Sequence, residues 1–231
     1  IGGSPYLASL RMDQAKNWKD FREACTYFNI PGENMVWADK YGDIGWQSVG
    51  IAPIRKTHSG LVPVNGNGKF DWEGYLPIVE KPNSFNPESG YLSTANQNVT
   101  PESYKRWDAV GYDWSDPYRG NRIKRIIESK DKFNMEEMID LQVDYYSMPS
   151  EEIIKLASGN ISNNIDYFKK LEKWNNILDK NSVEAGIYSE WQSQIYLEFI
   201  NSYVPNSVKK YLDIQMFRII ETISNMSELD R

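Results

Sequence analysis

The run Gly90-Tyr-Leu-Ser-Thr-Ala-Asn-Gln-Asn98 places a side-chain amide where it can act on a reacting carbonyl. Hydrolysis of an amide passes through a tetrahedral oxyanion. A donor preorganised at that oxygen is worth roughly 2.7–4 kcal/mol. The amide of Asn96 is suited to this, because it is neutral and carries no charge to desolvate. The small residues Ser93, Thr94 and Ala95 let it project from a crowded segment end into a cleft. The same residue types also suit a turn cap, so the local run leaves both readings open. A second group of candidates is Arg119, Arg122 and Arg125, spaced by three. A guanidinium can hold a carbonyl or amide through its planar fork of donors. At this spacing the three also read as one helix face, solvated or paired with acids.

Other reactive residue types offer less. The single cysteine, Cys25, falls in an apolar-periodic run and reads as a packed small residue. The single histidine, His58, stands in a Ser/Gly-flanked loop, and a Cys25–His58 nucleophile and base pair is not expected. One histidine also excludes an imidazole-rich zinc site. No disulfide can form within a chain that has one cysteine, so the redox compartment is not legible.

Positioning these groups falls to two kinds of segment. Residues 13–28 space Ala15, Trp18, Phe21, Ala24, Cys25 and Phe28 by three or four, which predicts an amphipathic helix capped by Asp13 and ended before Pro31. Residues 35–38 and 44–49 read as strands around an Asp-Lys-Tyr-Gly-Asp turn. Gly, Pro and Asn then punctuate residues 50–90, which predicts irregular, β-rich structure, with a short strand over 91–95. After Pro117 the spacing turns helical: 119–129, 134–146, 149–158, 161–178, 183–203 and 205–225. Asn134 with Glu137 fits a capping box. The fold class is therefore α+β, a β-rich irregular N-terminal half followed by an all-helical C-terminal half. The expected domains are 1–116, with an N-terminal helix and the amide-bearing run, and 117–231.

Composition narrows the partners. The chain has 231 residues and a net charge of −6, and a nucleic acid partner would need a basic face. No stretch reaches the roughly 18 apolar residues that span a bilayer, and no leader is visible at the start. Eight tryptophans and fifteen tyrosines also permit a competing reading, an aromatic-rich glycan-binding or scaffold module without catalysis.

Three blocks in order, residues 34–55, 61–78 and 85–98, carry a family resemblance, and a further match spans 117–127. Asn34-Met-Val-Trp-Ala-Asp-Lys-Tyr-Gly42 resembles an Asn-x-x-Tyr-Ala-Asp-x-x-Gly hairpin, the Gly90–Asn98 run follows, and Pro117-Tyr-Arg-Gly-Asn-Arg-Ile123 resembles a Tyr-Arg-x-x-Arg-Ile run. Together they resemble the β-subunit of the penicillin acylase family of N-terminal-nucleophile amidohydrolases. Pro53-Ile-Arg55, Leu76-Pro77-Ile78, Leu141-Gln-Val-Asp144 and Leu171-Glu-Lys-Trp174 resemble scaffold landmarks of the same family.

The resemblance implies a hydrolase of linear N-acyl amides that works through an acyl-enzyme. It makes Asn96 the oxyanion donor and Arg122 the residue that orients it, with Arg119 structural. It implies that the residue before Asn34 lines the acyl pocket. Here that residue is Glu33, whose charge predicts a more polar pocket or a rearranged loop. It implies no organic cofactor. In some members a calcium ion is held by carboxylates of both subunits, and Asp113 roughly matches one ligand. The implied partners are the rest of the β-subunit, the α-subunit and a small N-acyl amide substrate. Family members are often periplasmic or secreted, which leaves the location of this chain open. Their nucleophile is a serine at the start of the β-subunit, whereas this chain starts at Ile1. The expectation is that the nucleophile lies outside the chain and that the chain alone is inactive.

Overall fold

The computed structural model of the chain describes residues 4–158 and 166–226. Ile1 and the first residues of the helix expected over 161–178 lie outside these. The chain divides into two compact units. The first takes the residues up to Thr94 together with Asn98–Trp114, and the second takes Ala95–Gln97 and the chain from Ser115 on.

The first unit opens on a 3-10 turn, Pro5–Leu7, that leads into α1 (Ala8–Met12). The next helix is α2 (Trp18–Cys25). One helix was expected from Asp13, but the break falls at Asn17, whose side chain accepts from Asp20 N at 2.9 Å and starts a new helix. Strands β1 (Asn34–Ala38) and β2 (Ile44–Ser48) form the expected antiparallel hairpin, in register Asn34↔Ser48 through Ala38↔Ile44. A third strand, β5 (Asn83–Phe85), pairs with the other edge of β2. Between them β3 (Ala52–Pro53) and β4 (Tyr75–Leu76) make a separate two-stranded ladder. The short helix α3 (Trp107–Val110) buries Ala109 beside Ala52 and Leu76. The strand expected over 91–95 does not form, because no neighbouring segment pairs with its backbone as a ladder.

The main core of this unit packs Phe21, Ala24, Cys25 and Phe28 against Val49 and Ile78. Cys25 is fully buried, and burial pushes its thiol up to about 12. A nucleophilic cysteine must be an accessible thiolate, so Cys25 is a packing residue. Trp18 lies flat on Phe85, with ring centroids 5.4 Å apart, and the bare backbone of Gly45 faces it. A Cβ at Gly45 would stand 2.5 Å from the indole. Gly45→Ala is therefore expected to cost about 1–3 kcal/mol by overpacking. A urea midpoint unchanged from the parent sequence would show that the indole moves freely. Of the eight tryptophans only Trp72 is exposed. Trp46 and Trp174 are buried, and the other five are partly buried.

Two buried polar side chains tie loops to this sheet. Gln47 is fully buried and satisfied, with Nε2 donating to Ile78 O at 2.9 Å and Oε1 accepting from Arg22 Nε at 2.9 Å. Lys81 is 7% exposed, and its Nζ donates to Val49 O and to Gly50 O.

The second unit is helical: α4 (Tyr118–Ile127), α5 (Met135–Gln142), α6 (Met148–Ser158), α7 (Asp166–Glu172), α8 (Val183–Tyr203) and α9 (Met216–Asn225). The layout is α+β, β-rich first and helical after. The capping box of Asn134 and Glu137 starts α5 as expected. Ser182 caps α8 through Ala185 N at 3.1 Å. The core gathers Tyr118, Ile153, Ile154, Phe168, Leu171, Tyr188 and Ile220. No described helix is long and apolar enough to cross a membrane.

Candidate active site

Asn96 sits on the three-residue segment that belongs to the helical unit. Its backbone adopts the left-handed conformation, φ 67°. Apart from glycine, asparagine is among the residues that tolerate this best. The segment is fixed from both sides. Ser115 N donates to Asn96 O at 3.1 Å. Ala95 N donates to Gln97 Oε1 at 2.6 Å. The Gln97 head group lies on Gly120, where a Cβ would come within 2.3 Å of it. That contact gives the glycine of the Tyr-Arg-Gly-Asn-Arg run a role in seating the segment.

The side chain of Asn96 is held by α4. Arg119 Nη2 donates to Ala95 O at 2.7 Å and to Asn96 Oδ1 at 3.0 Å. A guanidinium has donors only, so the atom that faces it must be the amide oxygen. The NH₂ group of Asn96 then points away from Arg119. It has no protein acceptor among the described residues, and Asn96 is exposed. The arrangement presents two N–H donors outward.

Arg122 was expected to orient Asn96, but its hydrogen bonds go elsewhere. Its Nη2 donates to Asp144 Oδ2 at 2.7 Å and its Nε to Oδ1 at 3.2 Å. The guanidinium also covers the ring of Tyr146, 4.2 Å from the centroid. A bidentate carboxylate at the end of α5 outcompetes a neutral amide for this fork, because the charge-assisted bonds are stronger. The same bonds hold the Asp144 carboxyl below the usual carboxylate range. Asp144 had been read as a packing landmark. It also accepts from Tyr146 N at 2.9 Å, which fixes the turn into α6. Arg125 pairs with Glu151 at 2.8 Å. Tyr118 donates to Glu152 at 2.7 Å, and burial with that carboxylate pushes its hydroxyl far up. Ala95, Tyr118, Arg119, Arg122, Asp144 and Tyr146 contribute to the wall of a cavity of about 470 Å³ within this unit.

The other expected residues lie in the first unit. Glu33 is exposed immediately before β1, and its backbone carbonyl accepts from Val49 N at 2.9 Å. Asp113 is exposed. Calcium takes six to eight oxygen ligands. Among the described residues no three His, Cys, Asp or Glu side chains gather as a ligand set. His58 packs edge-on against Phe70.

Sequence reasoning missed the role of Asn34. Its Oδ1 accepts from Trp46 Nε1 at 2.8 Å and its Nδ2 donates to Thr94 Oγ1 at 3.1 Å. One side chain thus joins the hairpin to the residues just before Ala95. The signal was present: the first residue of the hairpin block is polar at a strand position, and a half-buried amide there calls for partners.

The chain is similar to proteins of one family. The family model described as Penicillin amidase matches residues 2–229. Penicillin G acylase of Escherichia coli is 33% identical over 137 residues, which is 58% of this chain and 16% of that protein. An acyl-homoserine lactone acylase QuiP of Pseudomonas syringae pv. tomato is 29% identical over 187 residues, 71% of this chain and 22% of that protein. The chain therefore spans about a fifth of the length of these relatives. Among solved structures, a thermostable penicillin G acylase from Alcaligenes faecalis superposes with a TM-score of 0.71 over 88% of this chain and 39% of that one. At 22% identity that likeness is one of fold.

Proposed function

Since the chain belongs to the penicillin amidase family, we propose that it forms the oxyanion side of an amidohydrolase acting on linear N-acyl amides, within a longer parent enzyme. The observation that carries this reading is the amide of Asn96, with its oxygen held by Arg119 and its NH₂ turned outward. As a nucleophile adds to the substrate carbonyl, charge builds on the carbonyl oxygen. A donor already oriented for that oxygen stabilises the tetrahedral state without reorganising. Collapse expels the amine and leaves an acyl-enzyme, which water then hydrolyses.

The nucleophile in this reading is an N-terminal serine of the parent's β-subunit, with its own α-amino group as the base. Such an amine titrates near 8, roughly, and is partly unprotonated at neutral pH. Cys25 does not compete for the role, because its thiol is buried and its deprotonation is suppressed. The 231-residue chain by itself is accordingly expected to be inactive. A graded series of N-acyl p-nitroanilides, incubated with the chain and with the intact parent, tests this. Release of nitroaniline by the parent only is the expected result. Asn96-dependent release by the chain alone would mean that the nucleophile lies within it.

A further inference from the structure

We infer that Asn65 is a site of self-modification: the backbone nitrogen of Gly66 attacks its side-chain amide and converts the residue to aspartate and isoaspartate. This chemistry is separate from the proposed amide hydrolysis and uses no residue of that site.

The chain holds two Asn-Gly pairs side by side, Asn65-Gly66 and Asn67-Gly68. Both stand in the connection between β3 and β4, in a stretch without helix or strand. Every residue from Leu61 to Lys69 is exposed. The apolar side chains there, Leu61, Val62 and Val64, are exposed as well and give the stretch no anchor in a core.

Ring closure makes three demands. The nitrogen of the following residue must be free to attack, the asparagine side chain must be free to swing onto it, and nothing may crowd the ring. Among the described residues the Gly66 N–H has no acceptor and the Asn65 side chain has no hydrogen-bond partner. Gly66 has no Cβ, and one built there would meet nothing within 4 Å, so the approach is open. Asn67 meets these demands less well. Its Oδ1 accepts from Lys69 N at 3.2 Å, and its side chain must leave that bond before it can react.

The step balances without an oxidant or a cofactor. A bond forms between Gly66 N and Asn65 Cγ as the nitrogen gives up its proton. The tetrahedral centre collapses by breaking its bond to the side-chain nitrogen, which leaves with that proton as ammonia. The product is a succinimide. Water then opens the ring at Cγ to give aspartate, or at the backbone carbonyl to give isoaspartate, whose main chain is one methylene longer. One water is consumed and one ammonia is released. Either product places a carboxylate in a stretch, 61–69, whose only charged residue is Lys69.

The test is peptide mapping by mass spectrometry of the intact parent, aged at mildly alkaline pH beside a free peptide of residues 61–69. Asn65 should gain about one mass unit as its NH₂ is replaced by OH. Its rate should lie within about threefold of its rate in the peptide, as for a segment whose local opening costs almost nothing. Asn67 should be slowed about twofold to tenfold against its own rate in the peptide, the factor that one net hydrogen bond sets. The aged parent should accept methyl groups from a protein isoaspartate methyltransferase, and Asn65→Gln should remove most of that acceptance. An Asn65 that stays intact while the peptide converts, or that is slowed as much as Asn67, would overturn the assignment.

Discussion

Replacing Asn96 with alanine in the intact parent is expected to lower kcat by about 10²–10³, the usual consequence of removing one oxyanion donor. The amide is exposed, and among the described residues its side chain bonds through its oxygen to Arg119 alone, so the substitution removes little packing. A part of the effect comes from the backbone. At φ 67° an alanine is strained by roughly 1 kcal/mol or more relative to asparagine. Asn96→Asp separates the two contributions. Aspartate keeps an oxygen for Arg119 and tolerates the left-handed backbone, but it turns a negative oxygen toward the oxyanion. Its kcat should fall at least as far as that of the alanine variant, with a melting temperature no lower than the parent's. Turnover within a factor of about two of the parent in both variants would take Asn96 out of the oxyanion hole, since a lost donor there costs far more.

The second large effect concerns stability. Lys81 is buried, with only backbone carbonyls as partners, and burial lowers its pKa from 10.5 to about 8. The unfolded chain holds this proton up to its ordinary pKa, so between pH 8 and 10.5 the unfolded state binds more protons than the folded one. Stability from this group therefore rises with pH through that window. Below it the penalty of the buried charge is fully present, and above it the contribution is flat. The displacement corresponds to something on the order of 3 kcal/mol. Measured as the difference between the chain and its Lys81→Met variant, which cancels the other titrating groups, the chain should gain on the variant from pH 8 to 10.5. A difference that stays level across the window would mean that Lys81 is solvated in the folded state.

The case of Lys81 shows what a sequence conceals. A lysine before Pro82 reads as a surface residue, and its burial depends on the loop after β2 closing over it. Gln47 is similar. It occupies a position on β2, where the consecutive residues Gly45, Trp46 and Gln47 are all buried, so both faces of that strand are covered and its amide is wholly internal. The missing strand at 91–95 has the same cause. Strand propensity is satisfied only by a partner edge, and among the described residues no strand pairs with 91–95.

The local features were decided by the chain alone. Apolar spacing and near-neighbour caps fix the start of α5 at Asn134 and Glu137 and the long run of α8. The Asp-Lys-Tyr-Gly-Asp turn fixes the β1–β2 register. These rest on contacts within a few residues, which the order of side chains specifies directly. The fold class, β-rich and then helical, follows from the sum of such contacts. The duties of Arg119 and Arg122 could not be settled this way. Three residues apart, they lie less than one turn from each other on α4, and either can point toward the same side. Only tertiary packing brought the carboxylate of Asp144 to Arg122 and left Arg119 to the oxygen of Asn96. Which arginine meets an acid and which meets an amide depends on what the rest of the fold delivers to each, and spacing along one helix carries no record of that.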